Sequence, residues 1–421
     1  MIAKCKFLIL LVVSIFLLTL FSCRESMPTY IYKYENEVEN NESAADTSFL
    51  MFVNEQSFFS QAATRGTGAF DNSFESNKAK LNAADIYVFA FRDSRKVTDM
   101  PETVDFTKSA YSGRNGDAQN ESCLLDGEDY NHGMPTRLSQ ISNGMLMPQY
   151  DGIVGFSNVE KSYVGYNFFA YYLDDLQSKG NFTPNRTSEK IWYDIEIDGS
   201  QDILCGAAPT ITQSVLNSKI RANKLSIPAN EQKTIVAYKG YSKYAARRGV
   251  YPVIDMQHVF TRLVFTAYPY DENANNIHIT GISVKTPYKG SLTVAARSID
   301  DIGFEITNVE DSAELFLREP SVDGLKSSEK LTTTKVSYDS SEAELDWSDR
   351  TGKRLGESLL LPPAESYLVT VYTIENGADV VKTYTISAPK KKKVFNAGSI
   401  YNIKIAVGKQ ETEADEVSSA E

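Results

Sequence analysis

The apolar residues of this chain gather in short, continuous runs rather than in helical stripes. Residues 85–91 (DIYVFAF), 166–173 (YNFFAYYL) and 262–268 (RLVFTAY) place aromatic and β-branched side chains at consecutive positions, as expected of strands with both faces covered. Residues 366–374 (SYLVTVYTI) and 380–386 (VVKTYTI) flank ENGAD, which predicts a hairpin whose turn is Asn376 and Gly377. NIHITGISVKTP and YKGSLTVAAR, over 276–297, predict two more strands broken around Pro287 and Gly290, and YNIKIAV (401–407) the last one. Helical periodicity is scarce; residues 212–225 (TQSVLNSKIRANKL) are the best candidate and remain ambiguous. Many short strands between turn residues predict an all-β protein of β-sandwiches, and a length of 421 residues predicts two of them.

The first residues follow a different logic. Lys4 and Lys6 precede an apolar segment over 7–21, interrupted only by Ser14 and Thr19. That is a signal-sequence layout, and the run is shorter than the roughly 20 apolar residues of a membrane-spanning helix. Leu20, Phe21, Ser22 and Cys23 resemble the bacterial lipobox. The resemblance implies that the Cys23 thiol takes a diacylglyceryl group, that residues 1–22 are removed, and that the freed amine is acylated. Each buried methylene adds about 0.8 kcal/mol of membrane affinity, so two or three chains hold a protein far better than one. Residues 24–47 are polar, acidic and without core periodicity, which predicts a flexible leader. An abrupt apolar island follows at 49–59 (FLMFVNEQSFF), then small residues at 60–70 (SQAATRGTGAF). This predicts a buried strand just upstream of an exposed loop carrying Arg65, the kind of segment on which proteolysis concentrates.

Charge and composition narrow the chemistry. The formal charge is −12, and loss of the two lysines of the signal segment makes it −14. An acidic surface disfavours nucleic acid and anionic lipid as partners. After processing, Cys123 and Cys205 remain; they could pair in an oxidising compartment but do not form a disulfide framework. Asp126, Glu128, Asp129 and His132 crowd one Gly-bounded loop, yet their spacing departs from that of a calcium-binding loop, and a solvated acidic loop explains them. His258 precedes a buried-looking strand and is expected to be a satisfied structural histidine. No nucleophile elbow, phosphate loop or paired-cysteine zinc pattern occurs, so no metal, cofactor or catalytic activity is expected. Lys390–Lys393 are expected to be a solvated strand connection that discourages edge pairing.

The ordered set of segments resembles the fimbrillin family of Bacteroidales surface pili, in particular its Mfa-like branch. The pieces are the lipobox at Cys23, ATRGTGAF (63–70), DIYVFAF, YNFFAYYL, QDILCGA (201–207), MQHVFTRLVFTAY (256–268), LLLPP (359–363) and FNAGSIYNIKIAV (395–407). The resemblance implies two transthyretin-like β-sandwich domains, over 66–240 and 241–408, after a leader at 23–65 and before an acidic tail at 409–421. It implies an outer-membrane or fimbrial location, with other fimbrial subunits, an arginine-specific processing protease and a host or bacterial surface ligand as partners. Cleavage at Arg65 would remove leader and strand together, opening a groove for a neighbouring subunit's strand. The tail, ETEADEVSSAE, offers few alternating apolar side chains for donation, which points to a tip or accessory subunit, unless YNIKIAV (401–407) itself swings out as the donor. Two other roles fit the same residues: a retained lipoprotein anchor of a fimbrium, and a surface glycan-binding lipoprotein using Trp192 or Trp347.

Overall fold

The computed structural model describes residues 51–54, 77–78, 81, 84–93, 104–107, 123–125, 132–141, 145–149, 165–178, 182–237, 240–320, 329–346, 349–389, 391–408 and 418–419. Sheets dominate, and the all-β expectation holds. The largest sheet runs, in spatial order, β3 (Cys123–Leu125), β2 (Ile86–Arg92), β4 (Met134–Ile141), β5 (Met145–Gln149), β1 (Phe52–Asn54), β10 (Val253–His258), β9 (Leu204–Ala207) and β6 (Tyr166–Tyr172). β6 then returns to β2, from Tyr87↔Tyr171 to Arg92↔Tyr166. Seven strands thereby close on themselves, with β3 attached beside β4 on one edge of β2.

A second sheet holds β14 (Gly303–Ile306), β13 (Lys289–Ala296), β8 (Lys190–Glu196) and β7 (Asn185–Arg186). A third holds β17 (Lys353–Leu361), β11 (Thr261–Pro269), β20 (Ile400–Val407) and β21 (Ser418–Ser419). The fourth runs β15 (Ser312–Phe316), β12 (Ile277–Pro287), β18 (Ser366–Glu375) and β19 (Ala378–Ser387), with β16 (Thr334–Lys335) also on β12. Strand pairing spans residue 241: β10 joins the first sheet, and β13 pairs with β8.

The alternation of side chains along β2 and β6 explains their unbroken apolar runs. Phe89, Phe91, Phe169 and Tyr171 enter a core shared with the other three sheets. Val88, Ala90, Phe168 and Ala170, from the opposite face, enter a second core with Val53 and Ile254. That second core is completed by α1 (Gln213–Asn223), α2 (Ala229–Ala237) and α3 (Lys243–Ala246), through Leu216, Ile235 and Tyr244. The ambiguous segment is therefore a helix. Thr212 caps it by accepting the Val215 amide, and Lys224 ends it at φ 53°.

The predicted hairpin forms in full register, from Ser366↔Ser387 to Glu375↔Ala378. Asn376 and Gly377 turn it at φ 51° and 84°, the left-handed values that a two-residue turn needs. Cys123 and Cys205 are buried free thiols. Their possible pairing is corrected by topology: they lie on β3 and β9, with β2 and β6 between them. Burial alone pushes the Cys205 thiol up to about 12.

Candidate strand-accepting site

β1 is three residues long, yet it lies in the interior of the largest sheet. Phe52 and Val53 pair in parallel with Val253 and Ile254 of β10. On its other side Val53 and Asn54 pair antiparallel with Leu146 and Met145 of β5. Both edges of β1 are thus occupied, and its removal would leave β5 and β10 with unpaired backbone groups. Such groups are costly when buried and are templates for another strand when open.

Packing points the same way. Val53 is fully buried and Met51 is 2% exposed; both sit in the core with Leu146, Ile254, Met256 and Tyr172. Burying a side chain of this size contributes about 1.5–3 kcal/mol, so these two residues together contribute about 3–6 kcal/mol. Met51 and Val53 are apolar because the core they enter, with Leu146 of β5 and Ile254 and Met256 of β10, is apolar. Of residues 49–59, only 51–54 are among the described residues. Cys23, Arg65, Trp347 and the acidic residues at 126–131 lie outside them.

The remaining candidates are placed as follows. His132 begins β4's approach, where Nδ1 is 3.0 Å from Tyr193 Oη. Tyr171 donates to the His132 carbonyl and lies 2.6 Å from Tyr193 Oη. Burial, followed by the neighbouring Tyr193, holds the Tyr171 hydroxyl well above its usual range, so it stays a neutral donor. Among the described residues no cluster of acids, histidines and cysteines could hold a metal ion.

His258, at the end of β10, has Nδ1 2.6 Å from Asp202 Oδ1. Asp202 is 1% exposed, and its amide donates to Asp174 Oδ2 at 2.9 Å. The expected structural histidine is satisfied at Nδ1 only, by a carboxylate 56 positions away that the sequence does not signal; its Nε2 is buried and makes no hydrogen bond among the described residues. Phe260, Arg262, Leu360, Gly398 and Ile400 line the small cleft beside the pair; none of them carries a hydroxyl or thiol. Arg262 is itself buried and donates through Nε to Ser358 Oγ at 2.7 Å. His258 thus ties β10 to the segment before β9, and Arg262 ties β11 to β17.

Trp192 is half-buried on β8, with Lys190 Nζ 5.3 Å from its ring centre. The exposed Lys391–Lys393 occupy the connection between β19 and β20, as expected. At the C-terminus, Ser418 and Ser419 pair with Asn402 and Tyr401 of β20.

No protein-family model matches the chain, and no curated protein matches it significantly. Solved structures similar to it include a candidate cell adhesion protein from Bacteroides ovatus, at 12% identity and a TM-score of 0.38, covering 89% of this chain and 96% of that one. Another, from Bacteroides eggerthii, shows 8% identity and a TM-score of 0.35 over 89% of this chain and 96% of that one. The fimbrial anchor protein Mfa2 from Porphyromonas gingivalis shows 10% identity and a TM-score of 0.29, over 84% of this chain and 89% of that one.

Proposed function

We propose that the protein is a structural and adhesive fimbrial subunit of the cell surface, exported as a lipoprotein through Cys23. Cleavage after Arg65 then releases the lipidated leader together with β1, and a strand from a neighbouring subunit replaces it. The observation that carries this reading is Val53, which is fully buried and paired on both sides although it belongs to the first described strand of the chain. Cleavage after Arg65 would leave β1 held in the sheet by pairing and packing alone. Its departure opens two facing edges, and an extended segment of alternating apolar residues restores their hydrogen bonds and burial.

The C-terminal residues fit a tip or accessory position. The tail after β20 is acidic and has few apolar residues to fill a neighbour's slot. Mass determination of the mature surface form tests the proposal. A chain beginning at Gly66 is expected; a functional, assembled chain beginning at acylated Cys23 would instead make the protein a retained anchor and refute processing at Arg65.

A further inference from the structure

The outer edge of the fourth sheet is a second place where this fold invites a strand, and it is independent of the slot around β1. β19 spans ten residues in continuous register with β18 and has no other strand partner among the described residues. Natural edges are blunted by proline, by bulges or by outward lysines. β19 has no proline, its register carries no irregularity, and its one lysine, Lys382, is held 2.9 Å from Glu375 Oε1. The exposed lysines, 391–393, lie beyond the strand rather than on it.

Backbone geometry identifies the open groups. The two-residue turn makes Glu375↔Ala378 a hydrogen-bonded pair, and alternation then directs the even-numbered residues of β19 toward β18. The Ala388 amide, donating to Glu365 at 3.0 Å, keeps that phase to the far end. The amides and carbonyls of Asp379, Val381, Thr383, Thr385 and Ser387 therefore point away from the sheet. On the same outward face, Val381 is 60% exposed, and Leu368, opposite Thr385 on β18, is 39% exposed.

We propose that this edge pairs with β19 of a second copy of the chain, antiparallel about a two-fold axis at Thr383. Sheet faces stay continuous only if odd residues oppose odd ones. Centring on Lys382 would set two lysines against each other, a destabilising arrangement. Centring on Thr383 sets Val381 opposite Thr385 of the second copy, Lys382 opposite Tyr384, and Val380 opposite Ile386. Asp379 then faces Ser387, and no like charges stand opposite each other along the paired strands. The contact is isologous, so it closes as a dimer instead of propagating.

Purified full-length protein tests this by light scattering and by single-cysteine cross-linking, since the native thiols are buried. In a hydrogen-bonded antiparallel pair the Cα atoms are about 5.5 Å apart, within disulfide range. A dimer mass is expected for the native chain. Thr383→Cys is expected to convert to a disulfide-linked dimer under mild oxidation, and Val381→Cys to remain unlinked. Thr383→Lys, which also gives up the 3.4 Å hydroxyl contact with Thr370, is expected to give a monomer that still unfolds cooperatively. A native monomer, equal cross-linking at 381 and 383, a dimer surviving Thr383→Lys, or an edge filled only by a different protein's strand would each overturn the proposal.

Discussion

Replacing Val53 by alanine is the sharpest perturbation of the strand slot, because it leaves backbone pairing with β5 and β10 intact and removes only side-chain burial. Val53 has no exposed surface and packs in the core with Ile254 and Leu146. Deleting about two methylene equivalents at about 0.8 kcal/mol each forfeits about 1.6 kcal/mol. An incompletely collapsed cavity brings the cost to about 2–3 kcal/mol. Val309→Ala supplies the control: the same chemical change at a 71% exposed site should stay within about 0.5 kcal/mol. Urea unfolding of the uncleaved chain, followed by tyrosine and tryptophan fluorescence, measures both. Should Val53→Ala and Val309→Ala shift the midpoint equally little, the slot is not held by the side chains of β1, and the reasoning fails.

Other consequences are equally open to test. His258→Ala removes the 2.6 Å contact to the buried Asp202 carboxylate and is expected to cost about 1–3 kcal/mol, read as a lower thermal midpoint. A smaller loss for His258→Gln would show that hydrogen bonding carries most of the effect. Gly377→Ala meets nothing within 4 Å, so its cost of about 1–2 kcal/mol comes from the left-handed backbone alone; denaturant unfolding should show it without altered packing. For Cys205 the folded-state value of about 12 lies above the usual thiol value. The unfolded chain thus ionises first as pH rises from about 9, and the thiol's contribution to stability falls between about pH 9 and 12. Cys205→Ser should flatten that decline, and an alkylating reagent at pH 8 should modify residue 205 only after unfolding.

How much could be anticipated depends on whether the physics was local. The strands at 86–92, 166–172 and 261–269 were legible because burial on both faces demands continuous apolar runs. The β18–β19 hairpin was legible because Asn376 and Gly377 answer a backbone requirement found within two residues. Of the helices after residue 212, α1 was legible only as an ambiguous candidate, since it buries only Leu216 and so shows little periodicity; α2 and α3 gave no signal. Nor could pairing across the chain be read: the parallel contact of Val53 with Ile254, the attachment of β13 to β8, and the Asp202–His258 pair join residues with no local signature. The island at 49–59 announced burial, but not that its strand would stand between two others.

Complementation in trans asks most directly whether that strand is a replaceable component. The folded chain is cut after Arg65 with an arginine-specific protease, the released segment is removed by dialysis, and a synthetic peptide of residues 49–59 is added back. One peptide per chain should bind and raise the thermal midpoint toward that of the uncut protein, while a peptide carrying Val53→Asp should do neither. A cut chain as stable as the intact one and indifferent to the peptide would contradict the account.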